Sequence, residues 1–175
     1  MGTSNVHDAL ARLVRSLEEI DVPYAIVGAM ALNEFGYARA TADVDVLLTK
    51  EGLARFKESF LGRGYVEKFP GSKGLRDVES KVAIDVILTG DYPGDGKPKP
   101  VRFPDPAEVA VRGARVALLP VERLVELKLA SGMTSVHRAK DIADVVELIK
   151  HAPLTREIGD AIDPSASARA ERMIS

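Results

Sequence analysis

The chain has no cysteine and no tryptophan, and its three histidines, His7, His137 and His151, are scattered along 175 residues. Disulfides and thiolate zinc sites are therefore excluded, and histidines so far apart do not suggest a histidine-rich metal centre. Each reads as an ordinary surface or helix-end residue. No apolar run approaches the roughly 18 residues that a membrane-spanning helix needs, and no basic segment followed by an apolar stretch opens the chain. The expectation is a cytoplasmic protein with no membrane partner. An excess of charge is missing too, since 24 basic and 26 acidic side chains leave a formal net charge of -2. That balance argues against a cationic nucleic-acid surface spread over the whole chain. What is present is an apolar content of 46%, enough at this length for one good core.

Hydrophobic periodicity orders the chain. Val6, Leu10, Leu13, Val14, Leu17 and Ile20 recur at helical spacing, Ser4 or Asn5 is placed to cap that helix, and Pro23 ends it. A short apolar strand at 25–27 leads through Gly28 into AMALNEFG, a helix of about two turns ending at Gly36. Residues 50–64 read as an amphipathic helix with Leu53, Phe56, Phe60 and Leu61 on one side and Gly64 as its stop. Strands are expected at 65–69, 74–80 and 81–88, the first two joined by a turn at 70–73. Pro120 opens the helix VERLVELKLASG, which stops at Gly132, and a second helix near 136–150 turns Ile142, Val145, Val146 and Ile149 inward until Pro153. The fold class expected is α/β (α+β), a mixed sheet with packed helices. Residues 1–115 form its core, 116–153 a C-terminal helical pair packed on it, and 154–175 an Ala- and Ser-rich tail that frays or forms a short helix.

The most informative stretch is 24–48, YAIVGAMALNEFGYARATADVDVLL. Period-two alternation sends Asp43 and Asp45 to one face and Val44 and Val46 to the other. Two carboxylates that converge repel one another, and a divalent cation is the usual remedy. Asp is also common at strand ends and turns, so the pair alone says little. The run VAIDVIL at 82–88 sets Asp85 among aliphatic residues, where an isolated carboxylate is costly to bury. Ions shared with Asp43 and Asp45 explain it; a partly exposed edge-strand position is the alternative. Gly28 lets an anion approach the amides of a helix start, or simply makes a tight turn. Arg39 and Thr41 lie between that helix and the acidic pair, within reach of the same anion, unless Arg39 is a solvated loop residue.

The succession VGAMAL, RATADVDV, IDVIL resembles the nucleotidyltransferase superfamily, whose small catalytic domain is shared by DNA polymerase beta, the antibiotic nucleotidyltransferases and the minimal nucleotidyltransferases of toxin-antitoxin systems. The resemblance covers roughly residues 20–90 and, more loosely, the helices to 150. It implies a nucleotidyltransferase core and a nucleoside triphosphate gripped at Gly28 and Ala29. It also implies magnesium, two ions, on Asp43, Asp45 and Asp85 as the catalytic carboxylates, with transfer of a nucleoside monophosphate to a hydroxyl acceptor. Asp85 then lies nearest the acceptor hydroxyl. Ala29 departs from the family pattern, which has a second Gly or a Ser there, and leaves only main-chain donors at that position.

Further along, LKLAS followed by HRAKDIADV is similar to the Lys and Asp motifs of AbiEii-type nucleotidyltransferases, which implies that Lys128 sits near the phosphates and that Asp141 completes the site. A salt bridge between the two helices explains the same residues, and Asp144, on the helical face of Asp141, is placed to pair with Arg138 or Lys140. The Gly- and Pro-rich loop 90–103, with Lys97, Lys99 and Arg102, either holds the acceptor or merely connects. The acceptor is a small molecule, a tRNA end or a protein, and a homodimer or partner protein completing its pocket is implied by the small size of such enzymes. The alternative function is a catalytically weak nucleotidyltransferase-like binding or toxin-antitoxin regulatory module, which Ala29 favours.

Overall fold

The computed structural model describes residues 2–34, 40–132 and 143–146. In chain order the elements are α1 (Gly2–Glu19), β1 (Ala25–Val27), α2 (Gly28–Glu34), β2 (Val44–Leu48), α3 (Lys50–Phe60), β3 (Tyr65–Glu67), β4 (Leu75–Asp77), β5 (Ala83–Leu88), α4 (Pro106–Val109), β6 (Val111–Arg112), β7 (Ala117–Leu118) and α5 (Val121–Gly132). The strands form one mixed sheet in the order β3-β4-β5-β2-β1-β7-β6. Its centre is the parallel pair β2–β5, flanked by β1 running antiparallel to β2 and β4 antiparallel to β5. The expected α/β class with a mixed sheet is what the chain adopts. No helix among the described residues is long and apolar enough to cross a membrane.

Alternation on β2 divides its side chains. Val44 and Val46 are fully buried and join the core with Leu13, Leu17, Leu53 and Phe56, while Asp45 points the other way and is only partly covered. α1 is held by its apolar stripe of Val6, Leu10, Leu13 and Leu17, all buried. It starts at Gly2, so Ser4 and Asn5 lie within its first turn rather than ahead of it. α3 does begin on a cap, Thr49, whose hydroxyl accepts from the Gly52 amide at 2.9 Å.

Several boundaries differ from the sequence expectation. α3 stops at Phe60 rather than 64, because Leu61 turns extended and Gly62 and Gly64 take φ of 76° and 111°, which a right-handed helix does not contain. β3 and β4 are short, and the segment after Asp77 turns through Lys81, at φ 62°, before β5 begins. β6 and β7 were not foreseen: at two residues each they are too short for alternation to show, and β7 joins the sheet through Leu118 beside Ile26.

One polar contact ties the first helix to the sheet. Asp77, 2% exposed, receives the Arg12 guanidinium and the Ser80 hydroxyl. Burial alone would raise its carboxyl, but the bonds from Arg12 and Ser80 outweigh it and hold it below the usual range. A depressed folded-state carboxyl adds stability that is present above the unfolded value and lost as pH falls through the folded one. Asp77→Asn is therefore expected to cost about 1–3 kcal/mol near neutral pH. Urea unfolding should show that difference fading below about pH 4, where the unfolded carboxyl is already protonated.

Candidate active site

The parallel register sets Asp45 of β2 beside Asp85 of β5. Register neighbours on paired strands project from the same face, about 5 Å apart in backbone spacing. The two acids therefore share one side of the sheet. Asp43 reaches the group by a different route from the one expected. β2 begins only at Val44, so Asp43 lies in the exposed bend before it, where the Thr41 hydroxyl donates to its carbonyl at 3.0 Å and accepts from its amide at 3.3 Å. Thr41 thus shapes the turn that presents Asp43.

Asp45 feels the charge of both other acids. The Asp45 carboxyl is pushed up to about 6, by burial first, then by Asp85 and then by Asp43; Lys128 and Lys68 pull it back. An acid so placed is short of positive charge.

Gly28 has a physical reason beyond a tight turn. The antiparallel register puts Val27 opposite Asp45, so the next residue sits against that carboxylate. Gly28 has φ +67°, and a Cβ added there would stand 2.1 Å from Asp45 Oδ2. Only glycine meets both conditions. Ala29, one residue on in α2, is buried.

Two lysines complete the surroundings. Lys68, just past β3, donates its ammonium to Asp85 Oδ1. Nothing in the local sequence marks that pairing, since it depends on how the β3–β4 hairpin folds back. Lys128 of α5 bonds Asp144 Oδ2 at 2.9 Å, with the two side chains 15% and 3% exposed. A mostly buried ammonium on an apolar helix gains from a buried carboxylate, and the expected pairing of Asp144 with Arg138 or Lys140 involves residues outside those described. Arg39 and Asp141 lie outside them too.

Beside the acids lies a cleft of about 380 Å³, lined by Gly28, Asp45 and Lys128 together with Tyr92, Phe103 and Leu127. The 90–103 loop supplies the two aromatic residues. Its base is closed by the Gly90 amide on the Phe103 carbonyl at 2.8 Å and the Phe103 amide on the Asp91 carbonyl at 2.9 Å, and Lys73 reaches Asp91 at 3.2 Å. Lys97, Lys99 and Arg102 of the loop are not among the residues that line the cleft: Lys99 is paired with Asp95, and the Arg102 guanidinium lies 5.3 Å from the centre of the Tyr92 ring. Its contribution to the cleft is aromatic, where the sequence suggested basic.

No profile of a known protein family matches the chain, and no curated protein matches it. Solved structures do. An antigenic nucleotidyltransferase-like protein from Paracoccidioides brasiliensis superposes with a TM-score of 0.63 at 15% identity, over 99% of this chain and 88% of that one. The fold is that of the nucleotidyltransferases. The antibiotic-resistance factor ANT(2'')-Ia, in complex with adenylyl-2''-tobramycin, gives 0.58 at 12% identity over 95% of this chain and 99% of that one. A Thermotoga maritima protein assigned as a nucleotidyltransferase gives 0.56 at 15% identity over 84% and 96%. The alignments with these three structures cover 84% to 99% of this chain.

The donor set suits a hard divalent cation: three carboxylates, all oxygen, with Asp45 lining the cleft. As placed, no group of three acidic or histidine side chains among the described residues is close enough to hold a metal ion. Asp85 is instead engaged by Lys68.

Proposed function

We propose that the protein is a magnesium-dependent nucleotidyltransferase. It moves a nucleoside monophosphate from a nucleoside triphosphate to a hydroxyl acceptor: the acceptor oxygen bonds the α-phosphorus, the bond from that phosphorus to the bridging oxygen breaks, and pyrophosphate leaves. The observation that carries this reading is the register pairing of Asp45 with Asp85 beside Asp43 and a glycine that only Gly28 can be, in a nucleotidyltransferase fold.

Asp43, Asp45 and Asp85 would hold the magnesium ions, two by resemblance to the family. Bound there, magnesium supplies charge neutralisation for the attacking and leaving oxygens. The chain does the positioning. The Gly28 and Ala29 amides take phosphate oxygens, Lys128 adds positive charge in the cleft, Arg39 and Thr41 serve the same phosphates from their place in the chain between that helix and the acidic pair, and Asp141 completes the site by resemblance. Asp85 takes the acceptor proton. The cleft beside Asp45 is walled by Tyr92, Phe103 and Leu127, apolar surface suited to a ring system. ANT(2'')-Ia was solved with an adenylylated small molecule, which supports a small hydroxylated acceptor above a tRNA end or a protein. A second subunit or partner that closes the acceptor side belongs to the same reading.

The alternative, a catalytically weak nucleotide-binding or toxin-antitoxin module, is favoured by one feature, the missing hydroxyl at Ala29. Calorimetric titration of each nucleoside triphosphate with and without magnesium, together with pyrophosphate release across a panel of acceptors, separates the two. The expected result is magnesium-dependent binding that weakens by at least about a hundredfold in Asp43→Asn, with pyrophosphate released in wild type. Binding without turnover on any acceptor supports the module, and binding that ignores both magnesium and Asp43 overturns the enzyme reading.

A further inference from the structure

Lys68 is built into its position. The hairpin that carries it is pinned on both sides, since Lys57 bonds Glu67 Oε1 at 2.8 Å and the Ser72 carbonyl at 2.6 Å, and the Gly71 amide donates to Glu67 Oε2 at 2.9 Å. Between those anchors the Lys68 amide donates to the Gly74 carbonyl at 3.1 Å. A Cβ added at Gly74 would stand 2.9 Å from Lys68 Cδ, so that glycine leaves the groove in which the lysine stem runs. At the end of the groove the ammonium meets Asp85 Oδ1. Its side chain is 27% exposed, a low figure for a lysine that bridges nothing but a surface pair.

Every part of this arrangement bears on one carboxylate of the catalytic set. We propose that Lys68 is a tethered counter-cation for Asp85, so that a divalent cation binding there competes with the ammonium and has to release it. Resting on the function proposed above, this makes Lys68 a positioning residue that sets the metal requirement. With the ammonium in place Asp85 is charge-compensated; when it is released, Asp85 is free to bind the cation. Coulomb attraction at contact distance in a partly covered site is strong enough to compete with a single added ligand. A lysine fits this role better than an arginine that holds a carboxylate by two parallel bonds, because a point charge on a flexible stem leaves easily.

The test is Mn²⁺ binding to the full, nucleotide-free chain, read by the resonance signal of free Mn²⁺, so that it does not depend on turnover. Lys68→Gln should tighten binding by at least about tenfold, Lys68→Arg should stay within about threefold of wild type, and Gly74→Ala, which crowds the stem but keeps the charge, should move affinity in the direction of Lys68→Gln. The gain should vanish when Lys68→Gln is combined with Asp85→Asn. Unchanged or weaker binding in Lys68→Gln, equal tightening in Lys68→Arg, or a gain that persists without Asp85 would each overturn the proposal. Wild-type binding indifferent to Asp45→Asn counts against the metal-dependent enzyme, whereas Asp45-dependent binding that Lys68→Gln leaves alone counts only against the tethered cation. If neither wild type nor Lys68→Gln binds Mn²⁺, both fall.

Discussion

Asp45→Asn is expected to abolish nucleotidyl transfer, by at least about a thousandfold, while making the metal-free protein more stable above pH 6. The two effects have one cause. Asp45 stands between Asp43 and Asp85, partly buried, and its carboxyl rises to about 6 from an ordinary value of 3.8. The folded form therefore holds this proton more tightly than the unfolded form does. Stability from that difference is complete below about pH 4 and is lost as pH rises through about 6. Asparagine has no proton to lose, so the variant's advantage should open across that window and stay level above it, at about 1–2 kcal/mol after allowance for solvent screening. Saturating magnesium should reverse the order, since only wild type gains from binding it. Urea unfolding at several pH values, with chelator and with magnesium, measures all of this. A variant less stable than wild type in chelator at about pH 7.5 would contradict the picture of an uncompensated acidic group.

Gly28→Ala is the second large effect, expected to cost about 2–4 kcal/mol and to eliminate activity as well. Two penalties combine at this residue. The backbone has φ +67°, which an L side chain adopts at a cost of about 1–2 kcal/mol. The new methyl would also sit 2.1 Å from Asp45 Oδ2 and 2.8 Å from its Cγ, so the carboxylate has to move. The two can be separated by a double-mutant cycle. In an Asp45→Ala background the methyl meets no carboxylate, and Gly28→Ala should cost roughly half as much. Equal penalties in both backgrounds would mean that backbone conformation alone demands the glycine.

The legible part of the site was the part written in short-range pattern. Val44, Asp45 and Val46 alternate, so the acidic face of β2 could be read; the run 82–88 is apolar on both sides of Asp85, and only its register with β2 shows which face that acid takes. Gly28 could be picked out as a turn glycine, but its contact with Asp45 depends on the β1–β2 register, which no local signal carries. The same holds for Lys68, whose partner is 17 residues away along a hairpin that had to be folded first. The Lys128–Asp144 contact likewise joins residues 16 apart, and helical periodicity alone could not announce it. β6 and β7 escaped because two residues cannot display a period.

The excursion from Gly90 to Phe103 is fastened at its own foot by two main-chain hydrogen bonds. Its interior can therefore lengthen, shorten or change character without disturbing the strand that bears Asp85. On the proposed function, reactivity and choice of client molecule would be inscribed in separable stretches of polypeptide, one locked into the sheet and one looped beside it.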